Sequence, residues 1–114
     1  MTFAAPALDR PQPSHASTRV YEDGPHTIVE ARGEIDLASS EELDRALREV
    51  AGRSSGRVIV DLSGVTFLDT AGLRTLVRAR ERMDEAGRWL VTRGASGQPR
   101  RLIEIGRAHY GMQV

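Results

Sequence analysis

The sequence predicts an α/β domain on a mixed, mostly parallel sheet of four to five strands, in the order βαβαβα after an N-terminal β-hairpin strand. Three observations carry that expectation. Val58-Ile59-Val60-Asp61-Leu62 is a short, almost continuous β-branched run, the pattern of a central strand buried on both faces. Segments with apolar residues at helical spacing lie on either side of it. Strands that alternate with helices need crossover connections, and crossovers place successive strands parallel.

Residues 1–17 contain three prolines, small residues and no periodicity, so they are expected to form a disordered tail, leaving residues 18–114 as the domain. Residues 18–22 are a short candidate strand. Asp23-Gly24-Pro25 signals a turn, and Thr27-Ile28-Val29-Glu30-Ala31-Arg32 supplies the second arm of a hairpin. Gly33-Glu34-Ile35-Asp36-Leu37 leads into the first helix. Ser39 with Glu42 three residues on forms a capping-box pattern. Leu43, Ala46, Leu47, Val50 and Ala51 then make one apolar face, which Gly52 ends. After the central strand a second helix is expected from about Thr70. Leu73, Leu76, Val77 and Met83 line its inner side, and Gly87 stops it. Trp89-Leu90-Val91-Thr92 reads as the next strand. Pro99 opens a third helix, with Leu102, Ile103 and Ile105 as its apolar residues. The remaining residues to Val114 leave room for a short last strand at most.

A chain of 114 residues suits one small domain, which buries roughly two thirds of its unfolded surface. Sixteen basic and sixteen acidic residues balance, so no broad field draws the chain to nucleic acid or an anionic membrane. There is no cysteine, which removes disulfides, thiolate metal sites and cysteine nucleophiles and suits a reducing cytoplasm. There is also no lysine: all sixteen basic side chains other than histidine are arginine. That argues against phosphate-loop, Schiff-base and phospho-aspartate receiver chemistry, and arginine is a poor general base. No apolar run approaches a membrane span, and residues 1–8 lack the basic start of a secretory signal. His15, His26 and His109 are scattered without metal-ligand spacing, so neither metal nor cofactor is expected. Asp61 has no nucleophile or base paired with it in the pattern. It is read as a loop-ordering acceptor, with no catalytic residue expected. Trp89 is read as a core or edge-packing residue. Arg78-Ala79-Arg80-Glu81-Arg82 is read as a solvated helix face.

The turn Phe67-Leu68-Asp69-Thr70-Ala71-Gly72-Leu73 stands out. It follows the central strand, and in open α/β sheets ligands gather where loops leave the carboxyl ends of strands. Phe67 and Leu68 are expected to pin the loop to the core, and Gly72 to let another surface approach the backbone closely. Asp and Thr are also preferred helix caps, each contributing about 1 kcal/mol. The two readings are compatible. A hydroxyl at a helix start suits phosphorylation, since free N–H groups and the helix dipole favour an added phosphate. A phosphate beside Asp69 changes local charge rather than fold, which repels a docked partner.

Two motifs in register, Gly33-Glu34-Ile35-Asp36-Leu37 and Val60-Asp61-Leu62-Ser63-Gly64-Val65-Thr66-Phe67-Leu68-Asp69-Thr70-Ala71-Gly72-Leu73, resemble those of STAS domains, specifically the bacterial anti-sigma factor antagonists. The resemblance covers about residues 18–112. It implies a STAS-like fold, and a cytoplasmic, non-enzymatic regulator of transcription that works by partner switching. The unphosphorylated domain is expected to bind an anti-sigma factor serine/threonine kinase and so free a sigma factor. Phosphorylation at Thr70 is expected to release it, and a phosphatase to reset it. ATP belongs to the kinase. The implied partner surface is Asp36, Leu37 and Ser39 after the second strand, with Asp69, Thr70, Ala71, Gly72, Leu73 and Arg74 at the second helix. No nucleic-acid partner and no membrane insertion are implied, and the domain is expected as a monomer or weak dimer.

The chain departs from the family pattern in three places. Thr70 stands where serine is commoner. Arg74 stands where glycine is usual, one turn from Thr70, placed either to pair with a phosphate or to obstruct the usual partner. Gly106-Arg107-Ala108 replaces the Ser/Thr-Gly-Leu after the third helix, and the family's last helix is not evident, so the nearby sheet edge is expected to be exposed. STAS domains also serve as accessory subunits of membrane transport systems. There the same turn would be a constitutive docking contact without phosphate chemistry.

Overall fold

The hairpin forms because Gly24, at φ 61°, turns the chain in two residues and lets Asp23 pair with His26. A computed structural model describes residues 16–53 and 56–114; most of the expected tail and the Ser54-Ser55 loop lie outside the described residues. The elements are β1 (Ser17–Asp23), β2 (His26–Ile35), α1 (Leu37–Arg53), β3 (Arg57–Leu68), α2 (Thr70–Glu85), β4 (Leu90–Arg93) and α3 (Gly97–Tyr110). One four-stranded sheet runs β1-β2-β3-β4. β1 is antiparallel to β2, and β2–β3 and β3–β4 are parallel. The expected order and the mixed, mostly parallel sheet are therefore present. Among the described residues the sheet has four strands: residues 111–114 form none, and Val114 instead folds back onto the core with its carbonyl held by Arg107.

Side chains alternate across the strands, so the register sorts them into two faces. Val29, Ala31, Val58, Val60, Leu62 and Leu90 join Leu43, Leu47, Val50, Leu73, Leu76 and Met83 of α1 and α2 in one buried cluster. On the opposite face the register lines up Tyr21, Ile28, Ile59 and Val91, and beyond them Arg19, Glu30, Asp61 and Arg93. The charges in that second row are paired: Arg19 with Glu30 at 3.1 Å, and Arg93 with Asp61 at 3.4 Å.

Several boundaries differ from the sequence expectation, each for a tertiary reason. β3 does not stop at Leu62. It continues to Leu68 because β2 follows it, through register shifts at Glu30/Arg32 and Gly33/Glu34. Gly33 adopts φ 87° at the second shift, the left-handed geometry that glycine tolerates in a bulge. α1 starts at Leu37, and Ser39 is not its cap. Asp36 is: its Oδ1 accepts from the Ser39 N–H at 3.0 Å, and the Asp36 N–H donates back to Ser39 Oγ at 2.9 Å. α1 runs through Gly52 to Arg53. Beyond its end, Arg88 donates to the Ala51 and Gly56 carbonyls, at 2.6 and 3.1 Å, and ties α1 to the start of β3. Pro99 is the third residue of α3, not the first. Its missing N–H is still among those that a helix start leaves unpaired. Ile105 is exposed rather than inward. Trp89 lies just before β4, about half exposed, with the Arg57 guanidinium 4.4 Å over its ring.

Three aspartates are held below the usual carboxylate value of 3.8. Asp36 is lowered by the hydrogen bonds from Ser39. Partial burial opposes the shift at Asp44 and Asp61, but Arg48 and Arg82 outweigh it at the first, and Ser63 with Arg93 at the second. A depressed folded pKa means the native state holds fewer protons than the unfolded state. The stabilisation is therefore complete above 3.8 and is lost as pH falls through the lower folded values. Thermal melting between about pH 5 and pH 2 should show Tm falling with pH. Asp61→Asn should flatten part of that slope, and an unchanged slope would count against the assignment.

Candidate partner-binding site

The site is built by two parallel strands that end side by side. Ile35 pairs with Leu68, and the Asp69 N–H continues the ladder to the Ile35 carbonyl at 3.1 Å. Each strand then passes into a helix through an aspartate. Asp36 caps α1 as described. Asp69 caps α2, in extended backbone (φ −100°, ψ −176°), with Oδ1 accepting from the Gly72 N–H at 2.9 Å. The two helix starts are thus fixed beside each other.

A third element supports them. β4 pairs only with residues 58–61 of β3, so the far half of β3 has no strand on that edge among the described residues. The side-chain amide of Gln98 on α3 takes its place. Gln98 Oε1 accepts from the Leu68 N–H at 2.9 Å, and Gln98 Nε2 donates to the Leu68 carbonyl at 2.8 Å. Sequence reasoning missed Gln98: a glutamine in a helical first turn carries no signal of such a role.

The expected site residues divide by exposure. Thr70, the first residue of α2, is exposed, as are Asp36, Leu37 and Arg74. Leu37, the first residue of α1, is 72% exposed. Ser39, Asp69 and Ala71 are half-buried. Gly72 and Leu73 face the interior. A Cβ on Gly72 would lie 2.6 Å from Leu68 Cδ1 and 2.9 Å from Ile35 Cγ2, so its missing side chain admits the protein's own core. The expected open approach at Gly72 is replaced by close packing. Phe67 also departs from expectation: Leu68 is fully buried and pins the turn, whereas Phe67 points outward, 42% exposed. The sequence signal for Phe67 was strand alternation, which is visible only once β3 is known to reach Leu68.

From Thr70 a groove of about 700 Å³ runs between α1 and α2. Among the described residues no cluster of three or more His, Asp or Glu side chains could hold a metal ion, and no helix is long and apolar enough to cross a membrane. Fold and site together define an α/β domain in which two aspartate-capped helix starts lie side by side at one exposed surface. The chain belongs to the STAS family: the family model described as Mlab, STAS domain matches residues 18–110. Among relatives, it is 29% identical over 84 residues to the anti-sigma-F factor antagonist RsfB of Mycobacterium tuberculosis, spanning 73% of this chain and 69% of that protein. It superposes on the crystal structure of an anti-sigma factor antagonist from Mycobacterium paratuberculosis with a TM-score of 0.73 at 26% identity, covering 89% and 86% of the two chains. The unphosphorylated anti-sigma factor antagonist SpoIIAA shares the fold at a TM-score of 0.64 and 13% identity, over 79% and 84% of the chains.

Proposed function

We propose that this domain is a cytoplasmic, non-enzymatic anti-sigma factor antagonist: its unphosphorylated form binds an anti-sigma factor kinase and frees a sigma factor, and phosphorylation of Thr70 ends that binding. The observation that carries the reading is Thr70 itself. It is an exposed hydroxyl at the first position of α2, directly after the cap Asp69 and beside the exposed Leu37, in a chain similar to named antagonists. Leu37 and Thr70 form the contact face, Asp36, Ser39 and Asp69 hold its backbone, and Gly72 and Leu73 support it from beneath.

In the switch, Thr70 Oγ1 attacks the γ-phosphorus of the kinase's ATP. A Thr70 O–P bond forms, the bond to the departing ADP breaks, and the hydroxyl proton passes to a base of the kinase. The dianionic product sits at a helix N-terminus that tolerates it, but next to Asp69, so the contact face becomes strongly negative. A phosphatase completes the cycle. The test is incubation with the anti-sigma factor kinase and ATP, followed by intact-mass measurement. One phosphoryl increment is expected for the wild type and none for Thr70→Ala. An increment that survives the substitution defeats the switch.

A further inference from the structure

We infer that the partner presents an acidic helix to the groove between α1 and α2, read by Arg45, Arg74 and Arg78. This rests on the antagonist reading and extends the contact well beyond the Thr70 turn. Thr70, Arg74 and Arg78 follow one another four residues apart on α2, so they stand in a row on one helix face. Leu37, Glu41 and Arg45 do the same on α1. Both rows border the same groove, and its floor is made of small residues, Ser40, Ala71 and Thr75. The hydroxyls of the floor are satisfied internally, Ser40 by the Leu37 carbonyl at 2.8 Å and Thr75 by the Ala71 carbonyl at 3.1 Å. The floor therefore makes no polar demand on an occupant, and recognition falls to the rims.

The rims are cationic. Four arginines, with Arg48, face two acids, Glu41 and Asp44, a local excess of two positive charges in a chain whose formal net charge is zero. Asp44 is already engaged twice, by Arg48 at 2.8 Å and Arg82 at 3.3 Å. Several other arginines of α2 and α3 are engaged: Arg80 meets Asp84 at 3.8 Å and Arg100 meets Glu104 at 3.0 Å, while Arg101, outside the groove, has no such partner among the described residues. Arg45, Arg74 and Arg78 have no hydrogen bond or ion pair among the described residues, and all three are exposed. Like charges four residues apart weaken a helix slightly, so the Arg74–Arg78 pair does not serve α2 itself. Carboxylates four apart on an incoming helix match that spacing and accept bidentate guanidinium hydrogen bonds. Leu37 at the mouth offers the same helix an apolar contact, which completes a helix-in-groove mode.

The experiment uses the full chain and a synthetic amphipathic peptide with glutamates four residues apart and one leucine, alongside its glutamine analogue. Amide chemical shifts should move in α1 from Leu37 to Arg48 and in α2 from Thr70 to Arg78. The affinity should fall about tenfold or more in the exposed double variant Arg45→Glu, Arg78→Glu, and recover when the peptide glutamates are exchanged for arginines. Shifts centred elsewhere, equal binding of the glutamine analogue, or indifference to the double variant would overturn the inference. An oligonucleotide of equal charge that binds the groove more tightly would also overturn it, in favour of a nucleic-acid site. The double variant is then tried against the anti-sigma factor kinase. Unchanged kinase binding removes the groove from the interface and leaves the antagonist reading standing. Failure of the wild type to bind the kinase, with the peptide still docking, removes that reading and leaves the groove.

Discussion

Gly72→Ala is expected to destabilise the domain by about 1–3 kcal/mol, the usual range for forcing a methyl group into a packed interior. Two effects compete. Alanine is the better helix former by about 1 kcal/mol, so at an open helical position the substitution would stabilise. At Gly72 the new Cβ meets Leu68 Cδ1 at 2.6 Å and Ile35 Cγ2 at 2.9 Å, with the Ile35 carbonyl at 3.4 Å. Ile35 and Leu68 are at most 1% exposed and end the paired strands β2 and β3, so neither has space to retreat. Relief by lifting the start of α2 would stretch the bond from the Gly72 N–H to Asp69. Packing outweighs propensity, and the sign of the effect tells the two apart. Chemical denaturation should show a lower midpoint at an unchanged m-value. A midpoint equal to or above that of the wild type would show the contact relaxes freely.

Thr70→Glu is expected to do the opposite: leave folding intact and abolish most of the binding. Thr70 is exposed in the first turn of α2, where a carboxylate is favoured by the helix dipole by about 0.3–1 kcal/mol. The melting temperature should therefore hold or rise slightly. Affinity for the anti-sigma factor kinase should fall about tenfold or more, which is ~1.4 kcal/mol for each factor of ten. Calorimetric titration of both proteins with the kinase measures it, with Thr70→Ser as the control that keeps both hydroxyl and affinity. Equal affinities for wild type and Thr70→Glu would remove Thr70 from the contact face.

The architecture was legible because its signals are local and periodic. The apolar spacing of Leu43, Leu47 and Val50, and of Leu73, Leu76 and Met83, gives α1 and α2, and all six residues are buried. The β-branched run around Val60 gives the central strand, which does pair on both edges. The turn at Asp69-Thr70 was legible as a cap and is one. The parts that were not legible depend on partners distant in sequence. Ser63-Gly64-Val65-Thr66 has the composition of a loop and becomes strand only because β2 bulges at Gly33 to follow it. Asp36 and Ser39 are both good cap residues. The choice between them is made where β2 stops, at Ile35 opposite Leu68. Gln98 lies thirty residues from the backbone it completes. The inward direction of Gly72 follows from the same strand pairing, which local chemistry does not contain.

The reciprocal Asp36–Ser39 bonds, the Asp69–Gly72 bond and the Gln98 clasp have a kinetic consequence when taken together. These bonds tie down the backbone beneath Leu37 and Thr70, so under the proposed function docking would order little more than exposed side chains. The conformational entropy lost on such an association would be correspondingly small, and a face held in this way would need no slow rearrangement. Under the proposed switch, a charge added at exposed Thr70 would slow the encounter as well as shorten the residence time.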